Sequence, residues 1–140
     1  MPSQPSKYEA LGRAILYMAQ KPGYERWPFK AILSLIAPSI DMGYYDIEIN
    51  EDNETTSCAM WMYATEEGRD WYLANHGKEL STEQGDEVII NHFITDTGAG
   101  RYMRKILELI GTQNPNSKYV YGLRGFRNNR VCKLPILRRG

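Results

Sequence analysis

The chain has 140 residues, with 17 Lys and Arg against 17 Asp and Glu, and so no formal net charge. The length suits one domain, and the charge balance argues against a general nucleic-acid binder, which carries a basic excess over its surface. With 42% hydrophobic and 24% charged residues the composition is that of a folded domain, able to bury roughly two thirds of its unfolded surface.

Residues 1–7 read as a Pro/Ser-rich leader without the apolar core of a secretory signal, so a cytoplasmic address is expected. Tyr8, Leu11, Ile15 and Met18 then recur at three- and four-residue steps, the stripe of an amphipathic helix that Lys21-Pro22-Gly23 stops. A second helix opens at Trp27-Pro28, with Phe29, Ile32, Leu33 and Ile36 as its buried side and Pro38 closing it. The longest apolar run, Ala31 to Ala37, is broken by Ser34. It is far short of the roughly 20 residues of a bilayer span, so no membrane span is expected.

From Tyr44 the period changes to two: Tyr45, Ile47 and Ile49 alternate with Asp46, Glu48 and Asn50, as in a half-buried strand. A polar turn from Asn50 to Thr55 leads into a second strand, Ser57 to Ala64, and the pair reads as an antiparallel hairpin. Residues from about Glu66 to Leu80 read as a helix with Trp71, Tyr72 and Leu80 among its apolar positions. Glu87 to Thr95 is the strongest strand signal, rich in Val, Ile and Phe. It runs into Asp96-Thr97-Gly98-Ala99-Gly100 and then a helical stripe of Tyr102, Ile106 and Leu109 to about Ile110. Tyr119 to Arg124 and Arg130 to Ile136 close the chain as two strands around Asn128-Asn129. The expected order is α-α-β-β-α-β-α-β-β.

Charge is unevenly spread. Asp41, Asp46, Glu48, Glu51, Asp52 and Glu54 make the first hairpin acidic, whereas Arg124, Arg127, Arg130, Lys133, Arg138 and Arg139 leave the last 17 residues without an acid. These are either solvated faces or a basic wall for a phosphate-bearing ligand or an acidic carrier protein. Cys58 and Cys132 lie far apart in strand-like segments with no C-x-x-C, so both read as buried thiols and no metal site is expected.

The Gly98-Ala99-Gly100 turn, between a buried strand and a helix, reads either as a tight connection or as a phosphate site. Glycines let the backbone approach a ligand, the first-turn N–H groups attract an anion, and Arg101 and Arg104 add positive charge. No G-K-[ST] follows, so a nucleotide P-loop is not indicated. His92 lies inside the strongest strand, in phase with Val88, Ile90 and Ile94. It reads either as a satisfied core residue or as a general base. His76, in a polar stretch, reads as exposed. Tyr24, Trp27, Tyr45, Trp61, Trp71 and Tyr72 make the front half aromatic, as core or as the wall of an apolar groove.

An ordered set of motifs from about Leu11 to Lys133 resembles the RTX toxin-activating lysine acyltransferases, a family with a GNAT-like fold. Lys21-Pro22-Gly23-Tyr24-Glu25-Arg26-Trp27-Pro28 stands where that family has S-P-x-H-x-x-W-P. Ala37-Pro38-Ser39-Ile40 and Tyr45 resemble its P-A-I and Q-Y elements, Trp61 the tryptophan of its C-S-W-A strand, and Gly85-Asp86 its G-D. Tyr102-Met103-Arg104-Lys105 matches its Y-M-R-K, and Arg124 with Lys133 are placed like its late basic pair. The resemblance implies a single α+β GNAT-like domain over residues 1–140, a mixed and mostly antiparallel sheet with helices packed on it.

It further implies transfer of a fatty acyl group, from an acyl carrier protein or coenzyme A as co-substrate, to a lysine amine of an acceptor protein, with no tightly bound cofactor. The family's histidine position holds Tyr24, and its aspartate position, counted from Gly85-Asp86, holds His92. His92 as base and Tyr24 as proton donor to the leaving thiolate are the expected catalytic residues, with Gly98, Gly100, Arg101, Arg104 and Arg124 holding the donor's phosphate. The alternative is a catalytically silent binding or assembly module on the same fold, including a viral structural one. An oligomer is left open.

Overall fold

The computed structural model describes residues 5–22, 24, 27–75, 84–124 and 130–137, apart from the side chains of Leu35, Leu123, Arg124 and Arg130. The elements are α1 (Lys7–Ala19), α2 (Phe29–Met42), β1 (Tyr45–Ile49), β2 (Thr55–Ala64), α3 (Glu66–Ala74), β3 (Glu87–Thr95), α4 (Ala99–Gln113), β4 (Tyr119–Arg124) and β5 (Arg130–Pro135). The fold is α+β, with one five-stranded sheet in the order β1-β2-β3-β4-β5. β1 with β2 and β4 with β5 are antiparallel hairpins, and β3 with β4 is parallel, the two strands being joined through α4. Ser57 meets Thr95, while Ala64 lies against Gly85, so β2 and β3 also run in opposite directions. The chain divides into two compact units, Met1–Met60 with His92–Tyr102 and Trp61–Asn91 with Met103–Gly140.

In the first unit Ser6 caps α1, its Oγ accepting the Glu9 N–H at 3.4 Å. The buried side of α1 is Ala10, Ala14, Tyr17 and Met18, and it packs with Ile32, Ile36 and Ile40 of α2 on Ile47, Cys58 and Met60 of the sheet. Of the expected stripe Met18 is fully buried, whereas Leu11 and Ile15 flank the core and Tyr8 is 78% exposed. Two alanines at the contact let helix backbones approach closely, a role that a search for large apolar residues overlooks.

α2 begins after Pro28, and Phe29 is exposed rather than buried. Pro38 does not close it. The helix runs on to Met42 because Ser39 and Ile40 are buried beyond the proline, and the Ser34 carbonyl that Pro38 cannot serve lies on the exposed side, within reach of water. Gly43 ends it, in the left-handed region at φ 80°, with its N–H donated to the Ile40 carbonyl.

β1 departs from strict alternation. Asp46 is buried along with Ile47, and Ile49 is exposed at the bulge where the β1–β2 register shifts. Tyr102 from the first turn of α4 covers this face, its hydroxyl donating to the Asp46 carbonyl at 3.1 Å. The Asn50 side chain closes the hairpin by accepting the N–H groups of Asp52 and Glu54.

In the second unit Trp61 Nε1 and Tyr63 Oη both donate to Gln113 Oε1, at 2.8 and 2.7 Å. Thr65 caps α3, which ends at Ala74, earlier than expected. Trp71 is 55% exposed, and Leu80 and His76 lie outside the described residues. The buried stripe of α4 is Tyr102, Ile106, Leu107 and Ile110, with Leu109 exposed. Cys58 is buried as expected, but Cys132 is only half-buried; Asn128-Asn129 lies outside the described residues.

Two glycines make opposite demands. A Cβ on Gly85 would stand 2.3 Å from the Ala64 carbonyl oxygen, a backbone atom that cannot swing away, whereas one on Gly12 of α1 would meet nothing within 4 Å. Denaturant melts should show Gly12→Ala stabilising by about 0.5–1 kcal/mol, the helix preference for alanine. Gly85→Ala should cost roughly 1–3 kcal/mol as an overpacking change.

Candidate functional site

Tyr24 and His92 stand 68 positions apart in sequence and meet in the first unit, with Tyr24 Oη 3.1 Å from His92 Nδ1. Period two sends His92 to the same side of β3 as Ile94, which packs on the core formed by α1, α2 and β1–β2. Tyr24 comes from the connection between α1 and α2. Its N–H donates to the Lys21 carbonyl and its own carbonyl accepts the Trp27 N–H. The Tyr24 ring lies between two others, 5.2 Å from Trp27 and 5.8 Å from His92 between ring centres.

His92 is 5% exposed, and burial lowers its pKa from 6.5 to about 4. The imidazole is therefore neutral at physiological pH. Its Nε2 is buried and has no hydrogen-bond partner among the described residues. Either the phenol donates to Nδ1 and the ring proton sits on Nε2, or Nδ1–H donates to the phenol oxygen.

A second cluster at the end of β3 holds the same two chain segments together. Lys21 Nζ lies 2.7 and 2.8 Å from the two carboxylate oxygens of Asp96, and Tyr17 Oη lies 2.8 Å from both Asp96 Oδ2 and the Thr56 carbonyl. The Asp96 N–H donates to that same Thr56 carbonyl at 2.9 Å. Lys21 and Tyr17 hold the Asp96 carboxyl below its ordinary range. Tyr17 is raised, first by burial and then by its bond to Asp96. This cluster has a poor sequence signature, because Asp96 reads there as the first residue of a glycine turn.

At the start of α4, Gly98 adopts φ 112°, a conformation that favours glycine. A Cβ on Gly100 would meet open space, so that residue serves no close approach within the fold. Arg101 is already engaged: it forms a two-pronged ion pair with Glu48, at 2.5 and 3.1 Å, and contacts Thr97 Oγ1. Arg104 is exposed on α4, and the side chain of Arg124 lies outside the described residues. Thr95, Ser57 and Thr97 join their hydroxyls beside this pair. Cys58, the nearest thing to a nucleophile in the core, is pushed up to about 12 by burial and is inert as a thiolate.

Among the described residues no group of three His, Cys, Asp or Glu could hold a metal ion, and no helix is long and apolar enough to cross a membrane. No protein-family model matches the chain, and no curated protein matches it.

The lowered pKa of His92 has a stability consequence. Between pH 6.5 and about 4 the unfolded chain takes a proton on this imidazole and the folded chain does not. Stability is fully present above pH 6.5 and falls as the pH drops through that window, by about 3 kcal/mol in all. Urea melts at intervals from pH 7 to pH 4 should show this loss in the wild type. The slope should flatten in His92→Gln, whatever that variant's stability at pH 7.

Proposed function

We propose that the protein transfers an acyl group from a thioester carrier, acyl carrier protein or coenzyme A, to a lysine amine of an acceptor protein, in the cytoplasm. The observation that carries this reading is the contact between Tyr24 and His92. The resemblance to the toxin-activating acyltransferases puts those two residues at the family's catalytic positions, and they lie within hydrogen-bond distance of each other.

The reaction forms a C–N bond at the thioester carbonyl, breaks the C–S bond, and moves one proton from nitrogen to sulfur. His92 has its Nδ1 occupied by Tyr24 and its ring out of solvent, whereas Tyr24 is half-buried. Substrate therefore meets the phenol. As the amine attacks, Tyr24 takes its proton while passing its own to His92 Nδ1, and the reverse transfer delivers a proton to the departing thiolate. Positioned proton transfer of this kind contributes typically 10²–10⁴-fold. Gly98, Gly100 and Arg101 form the phosphate side of the donor site on this reading, and the donor phosphate has to displace Glu48 from Arg101.

The second reading is a silent binding or assembly module. It is favoured by the depth of His92, where a protonated imidazole is about 3 kcal/mol harder to form than in water, and by the internal pairing of Arg101.

Melting the protein with coenzyme A, acyl-coenzyme A and acyl carrier protein separates the two readings. A ligand at 100 times its Kd adds about 2.7 kcal/mol to the folded state, a rise of several degrees. An acyl donor should produce that rise, and Tyr24→Phe should keep it while lowering transfer to an acceptor lysine by about 10²-fold or more. No shift with any donor would favour the silent module.

A further inference from the structure

We infer that Asp96, acting through Lys21 and Tyr17, is the positioning residue that sets Tyr24 over His92; the inference deepens the proposed acyl transfer and rests on it for its catalytic meaning. Two ties join the same pair of segments. One is the bond between Tyr24 and His92, and the other is the ion pair between Lys21, three residues before Tyr24, and Asp96, four residues after His92. The ties are linked through the backbone, because the Tyr24 N–H donates to the Lys21 carbonyl.

Asp96 is fixed from three sides. Its N–H is held by the Thr56 carbonyl of β2, Tyr17 of α1 faces its Oδ2, and the Lys21 ammonium spans both its oxygens while lying 4.5 Å over the Tyr17 ring. Lys21 is thereby pinned to the end of β3 at a point where α1 has already ended. The turn from Lys21 to Tyr24 then delivers the phenol to the imidazole on the same strand. Such an arrangement is poorly explained by stability alone. The Asp96 side chain is 52% exposed, and ion pairs with so much solvent about them contribute little to folding.

The test reads the His92 ring directly. The chain has two histidines, so ¹⁵N spectra of the imidazoles can be assigned with a His76→Gln variant, and the Nδ1 signal reports the hydrogen bond to Tyr24 without any activity. Wild type and Tyr24→Phe give the two limits. Asp96→Asn and Lys21→Met should each move the Nδ1 signal at least halfway towards the Tyr24→Phe value in a chain that still folds cooperatively. In the transfer assay each should lower kcat by about ten- to a hundred-fold at unchanged donor KM, the scale expected when a reacting group is misplaced by about an ångström.

Wild-type His92 signals in both variants would overturn the inference. If Asp96→Asn does not fold, Lys21→Met decides alone, since it deletes the other half of the pair. Failure of the proposed function looks different: no transfer by the wild type, with the Nδ1 signal still responding to Asp96.

Discussion

Removal of His92 from water is the constraint on which the first unit depends. A buried imidazole is tolerated when it stays neutral and keeps at least one nitrogen bonded. The α1–α2 layer supplies the burial, and Tyr24, from the connection between those helices, supplies the bond. That connection bears a polar contact the core requires, so the end of α1 must be held in place. Tyr17 and Lys21 hold it by gripping Asp96, a residue of the segment that follows His92's own strand. Sheet, helices and connection thus converge on one buried ring.

Several charges in the described residues are paired within the fold. Glu48 from the acidic hairpin is spent on Arg101, Asp96 on Lys21, and Arg13 reaches both Glu9 and the hairpin turn at Asn53. In the second unit Arg69 is shared among Glu66, Asp70 and Glu87 and lies 4.6 Å over the Tyr121 ring. Pairs with one partner well exposed are each worth roughly 0.2–1 kcal/mol and serve to fix geometry more than to stabilise. Of the basic C-terminal residues, Lys133 is the one whose side chain is described, and it lies 4.2 Å over the Tyr119 ring.

The element order was legible because period and punctuation agree along most of the chain. β3 reads to the residue from its Val/Ile/Phe content and the glycines after it. What was not legible follows from tertiary contacts that a one-dimensional pattern cannot contain. α1 turns its alanines inward because another helix needs the room, α2 continues through Pro38 because Ile40 has a place in the core, and Asp46 is buried because Tyr102 arrives from a later helix. At the site, Tyr24 and His92 were visible one at a time as residues of the right chemistry, and their approach belongs to the fold. Asp96 and Lys21 were invisible as a pair, since neither position departs from what a helix end or a turn ordinarily holds.

The identity of the pair also limits how a proton can travel. A carboxylate beside a histidine stabilises the imidazolium and lets the ring collect a proton and keep it. A neutral phenol offers no such charge, and burial has already taken His92 down to about 4. A phenol–imidazole pair in this setting can pass a proton but cannot store one. On the proposed reading this suits aminolysis of a thioester, where the proton leaving nitrogen and the proton reaching sulfur can belong to one event, and it does not suit prior deprotonation of an ammonium ion. The silent module would need only the burial and the bond, and a fully enclosed partner for Nδ1 would serve it as well. Tyr24 is instead half-buried, with one side on His92 and part of its surface open. A proton relay requires that asymmetry, because its outer member must touch both the substrate and the base behind it.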